Sequence, residues 1–492
     1  MRENDEQMRV LVENIQKQKT ELRNVEIKEA GGGCPKIYDT LSSFSNQDEG
    51  GVILFGLSEK EGHKITGVYD PADLQVQVNN RSLEMEPVVH PLLNVFSIDG
   101  KQLVTAEING LPYADRPVFH KAKGIQKGSY IRIGDSDEHM TSYEIYKYQA
   151  YRLGLREDQR TVESDWIMLD TVRMQTFINT VKASGRFEGM SDDQVLTLQK
   201  VIKNGKPTLA GFMVFSKFPQ SEFPGLAITA AVVPGESTGE TDSNDARFLD
   251  NRRIEGSIPE MLEESINFLE RNMKIRTIID KNGKRTDRYE YPLVAIREAI
   301  LNALIHRDYS RHTNGTPIDI KMFTDRIEII SSGGIYGGFP VSQLGRDNPE
   351  SRNSALVRIL EILKISENRY SGIPTMEKEM KKYGLRAPEY IDNGRQFKII
   401  FRNSLQQKDS STDGVFQNLS EREIEVLKSC IVPLSRKEIA QILCLNYVYT
   451  SNNVIKPMIK KGLLVEAERQ GRTTRLEIEP SLRKQLGISD NE

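Results

Sequence analysis

The sequence predicts an α+β multidomain fold, and three observations predict it. The chain has 492 residues, and at roughly 150 residues per domain that allows about three domains. Apolar strand runs and amphipathic helix patterns are interleaved up to residue 402. A polar, strand-poor linker at 403–417 then sets off a C-terminal segment, 418–492, with its own helices and strands. Two further boundaries, near 150 and 250, follow changes of pattern, giving segments 1–150, 151–250 and 251–402.

Composition narrows the class. The 36 glycines and 20 prolines are ordinary, which excludes collagen-like and low-complexity chains. No apolar run approaches the ~18 residues of a membrane span, and MRENDEQMRV has no apolar leader core. Cys34, Cys430 and Cys444 are too few and too scattered for a disulfide framework or a four-thiolate zinc site. A cytoplasmic chain without membrane partners is therefore expected. The net charge of -3 excludes a chain that is basic throughout but leaves room for a local basic face. One tryptophan, Trp166, argues against a carbohydrate platform.

In the first segment VEIKEA (25–30) reads as a strand and 37–45 as an amphipathic helix. GGVILFGL (50–57) reads as a glycine-entered apolar strand, with further strands at 103–108 and 129–134. Asp99-Gly100 marks a hairpin. The segment 151–250 connects, with a helical stretch followed by strands at 209–216 and 225–233. The third segment shows helices at 258–273, 292–306, 354–364 and 373–383, and strands within 317–330 and 397–402. The tail predicts helices at 420–430, 435–443 and 450–461 and a two-strand wing. Pro457 inside the last helix predicts a kink or a later start.

The stretch YPLVAIREAILNALIHRDYS (291–310) carries the most chemistry. Glu298 and Asn302 are four apart, hence on one helix face. A carboxylate there can orient or deprotonate water, and an amide oxygen can bind a hard cation. The same spacing also suits the polar face of an ordinary amphipathic helix. The stretch resembles the Glu-x-x-x-Asn helix of the GHKL ATPases, the ATP-domain fold of gyrase, mismatch-repair proteins, heat-shock chaperones and histidine kinases. The IHRDY element, IDIKMFTDRIEIISSGG, RNSALVRIL and YSGIPTM extend the resemblance to a divergent prokaryotic ATP module over about 250–402. It implies a GHKL-like α/β sandwich, with Glu298 as ATPase base and Asn302 as Mg²⁺ ligand. His306, Asp308, Asp325, Gly333, Gly334 and Gly372 are further candidates for holding ATP. The usual Asp-x-Gly-x-Gly box has no clear counterpart, and the nearest acids are Asp325 and Glu328. Binding of ATP is expected ahead of brisk hydrolysis. No G-x-x-x-x-G-K-[ST] loop occurs, which removes a helicase engine.

TELRNVEIKEA, LSSFSNQDEGGVILFGL and PYADRPVFHKAKGIQKGSYIRIGDSD resemble the Schlafen-type AlbA-like domain, over about 15–150. That family is associated with nucleic-acid binding, and some relatives cleave RNA with clustered acids. Glu21, Glu26 and Lys28 match that motif and stand as nuclease candidates through a metal-held phosphate; exposed charge pairing on an edge strand is the alternative. Arg116, Lys121, Lys123, Lys127 and Arg132 are candidates for phosphate contact.

The tail pattern reads as a winged helix-turn-helix. Thr450, Ser451, Asn452, Lys456 and Lys460 lie on the candidate recognition helix, and Arg472 and Arg475 on the wing. Together the parts resemble bacterial transcriptional regulators that join an AlbA-like domain, a GHKL-like module and a winged helix. The expected partners are DNA (or RNA), a nucleotide with Mg²⁺, and a second copy of the chain. A metal-dependent nuclease and a nucleotide-independent scaffold are the rival classes.

Overall fold

The computed structural model describes residues 9–16, 24–164, 169–279, 285–347, 349–366, 372–404, 419–443, 445–467, 474–479 and 482. The chain divides into two compact units, Met1–Leu153 with Lys408–Glu492, and Gly154–Gln407.

In the first unit β1 (Val25–Lys28), α1 (Tyr38–Ser45), β2 (Gly51–Phe55), α2 (Pro71–Leu83), β3 (Leu92–Ile98) and β4 (Lys101–Ile108) build a four-stranded sheet of order β1-β2-β4-β3. β1 and β2 are parallel, joined by a crossover that contains α1; the other pairs are antiparallel. Asp99 (φ 51°) and Gly100 (φ 76°) form the β3–β4 turn, both in the left-handed region that a tight hairpin demands. Strand alternation feeds two cores. Ile53, Phe55, Val104 and Ala106 meet Leu41 and Phe44 of α1 on one face. Val25, Ile27, Leu54 and Leu103 meet Val12 and Ile15 on the other. A hairpin of β5 (Tyr130–Ile133) and β6 (Ser136–His139) follows, then α3 (Ser142–Arg152), entered through a Thr141–Glu144 capping box. Asn46 does more than close α1. Its side chain donates to the carbonyls of Val118 and Tyr130 and accepts from Val118 N, tying the helix to the segment at 118 and to β5.

The C-terminal part of this unit has helices Glu421–Ser429 and Arg436–Ile442. A helical run from Tyr447 to Lys460 follows, and then a three-stranded sheet ordered Leu434–Ser435, Arg475–Ile478, Leu464–Glu466. Val426, Ile439, Ile455, Met458, Leu464 and Leu476 make its core. Pro457 neither breaks the run nor delays it. Residues Thr450–Ile455 form a π-helical turn just ahead of it, which carries the ladder past a residue that has no N–H to give. Asn446 Nδ2 donates to Glu107 Oε1 (2.6 Å) and Asn109 Oδ1 (2.9 Å), and Arg422 pairs with Glu49.

The second unit contains α4 (Thr171–Lys182), α5 (Leu209–Phe215), β7 (Ile228–Val232), β8 (Asp250–Ile254), α6 (Ile258–Asn272), α7 (Leu293–His306), β9 (Ile318–Met322), β10 (Arg326–Ser332), α8 (Ser354–Ile362), α9 (Gly372–Lys382), β11 (Glu389–Asp392) and β12 (Gln396–Arg402). Six strands form one sheet of order β8-β7-β9-β10-β12-β11, with only β7 and β9 parallel. Helices α6, α7 and α9 pack together over it.

Two expectations are corrected here. Residues 209–216, expected as a strand, form α5: Thr208 Oγ1 accepts from Gly211 N (3.1 Å), and all seven residues of the helix are buried. A short, wholly apolar run has no period that separates a buried strand from a buried helix. The boundary near 250 also disappears. β7 lies before it yet sits between β8 and β9 in the sheet, so segments 151–250 and 251–402 share one core.

Candidate functional site

α7 is apolar almost all round, with Ala295, Ile296, Ala299, Ile300, Leu301, Ala303, Leu304 and Ile305 buried. Such a helix is packed on most sides by protein. Glu298, Asn302 and His306, at i, i+4 and i+8, form a polar row along it and line one cavity of about 210 Å³. Ile329 and Ser331 of β10, the loop Gly333–Tyr336, Arg352 and Gly372 bound the same space. At one end α9 begins directly against the acid–amide pair. A Cβ on Gly372 would lie 2.6 Å from Glu298 Oε1 and 2.9 Å from Asn302 Nδ2. The start of α9 therefore lies against the pair, and a helix N-terminus favours negative charge.

At the other end the loop after β10 is held from beneath. Gly333 has φ 91°, and a Cβ there would run into Arg352 Nη1 and come within 2.7 Å of Asp308 Cβ. Arg352 Nη2 donates to Gly334 O (3.0 Å), while Asp392 accepts from Ile335 N (2.8 Å) and Gly394 N (2.7 Å). His306 is open to the cavity. Desolvation by the protein around it, and then the Arg352 guanidinium, lower its pKa from the ordinary histidine value.

Of the residues expected here, Glu298, Asn302, His306, Gly333, Gly334 and Gly372 line one cavity, and two others do not. Asp308 is 3% exposed and turned inward: Oδ1 accepts from Ser310 N (2.8 Å) and its own N–H donates to Ser332 O (2.8 Å). Its place is structural, at the end of α7. Asp325 sits in the β9–β10 turn, paired with Arg326 (2.8 Å) and Arg402 (3.3 Å), away from the cavity. Glu328, the other nearby acid, is buried between Arg326 (2.6 Å) and Lys398 (3.0 Å). Neither is placed to read a base. Pattern reading missed Arg352, Asn353 and Asp392. The polar pair Arg352-Asn353 just ahead of the apolar α8 was the available signal.

The N-terminal candidates separate by burial. Glu26 is 7% exposed; one oxygen accepts from Arg132 (2.6 Å) and the other from Lys28. Arg132 also pairs with Asp137 (3.0 Å), which accepts from Thr40 (2.7 Å) and Ser43 (2.6 Å). Arg132 is thus an internal ion-pair residue, not a phosphate contact. Arg116 is likewise buried, donating to Asp48 (2.6 Å) and Leu111 O (2.8 Å). Glu21 lies outside the described residues, and among the described residues no group of three or more metal-ligating side chains occurs. Lys121, Lys123 and Lys127 are exposed.

In the tail Thr450 is fully buried, so it is a core residue and not a groove contact. Ser451 is half-buried beside Arg436, and Arg475 donates to Pro433 O (2.9 Å). Asn452, Lys456 and Lys460 are exposed on one helix face, with Lys456 donating to Asn452 (2.8 Å). Arg472 lies outside the described residues. Among the described residues no helix is long and apolar enough to cross a membrane.

Comparison with known proteins assigns two stretches. Residues 21–141 match the family described as "Schlafen, AlbA_2", and residues 315–401 match the one described as "Putative ATP-dependent DNA helicase recG C-terminal". The second match begins after α7, so Glu298 and Asn302 stand just ahead of it. No curated protein matches. Among solved structures, the DIP2311 protein from Corynebacterium diphtheriae is 17% identical, with 99% of each chain covered and a TM-score of 0.41. The N-terminal domain of a "Putative ATP-dependent DNA Helicase RecG-related Protein" from Nitrosomonas europaea is 23% identical, over 27% of this chain and 91% of that one, with a TM-score of 0.22. Likenesses of that size carry no argument. The two family matches do: this chain joins a Schlafen-type AlbA-like domain to a divergent ATPase-like domain.

Proposed function

We propose that the chain is an ATP-binding, DNA-binding transcriptional regulator, in which nucleotide held in the second unit modulates nucleic-acid binding by the terminal domains. The observation that carries this reading is the row Glu298, Asn302, His306 lining one cavity, with the start of α9 set against its acid–amide end, beside the stretch that matches an ATPase-type family. The donor set suits Mg²⁺ held by one or two protein oxygens, with water and phosphate completing its shell. Asn302 would supply an amide oxygen and Glu298 would orient water; the ion, when bound, neutralises phosphate charge. His306 would offer a hydrogen bond.

The C-terminal helices and three-stranded sheet support a winged helix, with Asn452, Lys456 and Lys460 as its groove-facing side chains. The AlbA-like match supports a second nucleic-acid contact, with Lys121, Lys123 and Lys127 as its outward cations. A dimer suits half-site reading. Titration calorimetry of the full chain with MgATP, wild type against Asn302→Ala, tests the reading. Binding lost in the variant is expected; no binding by wild type overturns it. Repeating the titration with DNA present measures coupling, which must be reciprocal.

A further inference from the structure

We propose that Arg156 and Asp158 are positioning residues of the nucleotide cleft, holding its outer wall in place; the inference rests on reading that cleft as a nucleotide site. The wall is Pro349–Arg352, which lines the cavity and runs straight into α8. Its hydrogen bonds reach across the chain to residue 156. Arg156 Nη1 donates to Ser351 O (2.9 Å) and Arg352 O (3.4 Å), and its other terminal nitrogen pairs with Glu350. The same guanidinium lies 5.3 Å from the Tyr336 ring centre, with Arg352 5.5 Å from that ring. One arginine therefore ties the wall to the loop after β10.

Two residues on, Asp158 is 1% exposed, and Oδ2 accepts the N–H groups of Ala355 (2.8 Å) and Leu356 (3.1 Å), in the first turn of α8. A carboxylate there satisfies orphan donors and meets the positive end of the helix. The residue ahead of α8, Asn353, makes no side-chain cap hydrogen bond. Its Nδ2 instead donates to Ile305 O (2.7 Å) and Arg307 O (2.8 Å), at the end of α7. Asn353 thus fastens the wall to the helix that bears Glu298 and Asn302, and capping passes to Asp158, about two hundred positions away in the chain. Arg156 holds the cavity wall itself, and Asp158 holds the first turn of α8 into which that wall runs, which together is the geometry of a brace.

The test uses the full chain with MgATP as the probe, and hydrogen exchange of the amides at 350–356 with no nucleotide present. Arg156→Ala and Asp158→Ala are expected to weaken MgATP binding by about tenfold, the scale of one charge-assisted hydrogen bond, and to speed exchange at Ala355 and Leu356. Arg156→Lys should restore part of the affinity, and Asp158→Asn, which keeps an acceptor oxygen, nearly all of it. A role in overall stability alone would lower the melting temperature of both alanine variants while the folded chains kept wild-type MgATP affinity, and that result overturns the proposal. Wild-type affinity together with unchanged exchange in both alanine variants overturns the proposal. Absence of MgATP binding by wild type overturns the nucleotide reading, while the exchange arm still judges the brace.

Discussion

Gly372 stands so close to Asn302 that a single added methyl would reach within 2.9 Å of its amide nitrogen, and closer still to Glu298. The first residue of α9 is therefore a glycine because the polar row of α7 occupies the space where a side chain would go. Gly372→Ala is expected to displace the acid–amide pair and weaken MgATP binding by about tenfold or more, since small misplacements in a binding constellation are costly. Calorimetry on wild type and variant checks this; an unchanged affinity would separate α9 from the site.

The exposed row Asn452, Lys456, Lys460 makes a separate prediction about DNA. Each lysine changed to alanine should weaken binding to all duplexes alike and flatten the salt dependence, by about 0.9 in log–log slope per lost phosphate contact. Thr450→Val should leave affinity unchanged, because Thr450 is buried in the core. Fluorescence anisotropy across a salt series reads both.

Arg132 belongs to folding. It lies between Glu26 and Asp137 with its side chain 1% exposed. Arg132→Ala should destabilise the N-terminal domain by about 3–5 kcal/mol, the cost of leaving buried carboxylates without their cation. Chemical denaturation measures it. A variant as stable as wild type that bound RNA or DNA less well would return Arg132 to the surface.

Asp158 gives the stability of the second unit a pH signature. Burial pushes its pKa up to about 6, against the lowering effect of the two α8 amides. The unfolded chain keeps an ordinary carboxyl near 3.9. Between pH 4 and 6 the folded chain binds the extra proton, so the contribution of this group to stability falls as pH rises through that window. Asp158→Asn cannot ionise. Its stability relative to wild type should therefore rise from pH 4 to pH 7, by about 2–3 kcal/mol if the full shift is felt. Denaturation of both chains at four pH values checks it; a difference independent of pH would show that Asp158 does not titrate with the fold.

Much of the architecture was legible in the chain. The 3.6-residue period of 293–306 set out a helix and put Glu298, Asn302 and His306 on one face, because residues four apart are neighbours in any helix. The polar break after 402, the Asp99-Gly100 turn and the strand runs around it were equally local signals. Tertiary structure decided which charges face solvent. Arg132 and Lys123 look alike in sequence, yet one pairs with a carboxylate 106 positions away and the other stays exposed. The same holds for Asp308, turned into the end of its helix, for 209–215, made helical by its burial, and for Asp158, whose partners lie 197 and 198 positions on. Sequence spacing carries information over about one turn of helix or one hairpin. Ion pairs, braces and cavity walls depend on separations that only a folded chain brings within hydrogen-bond reach.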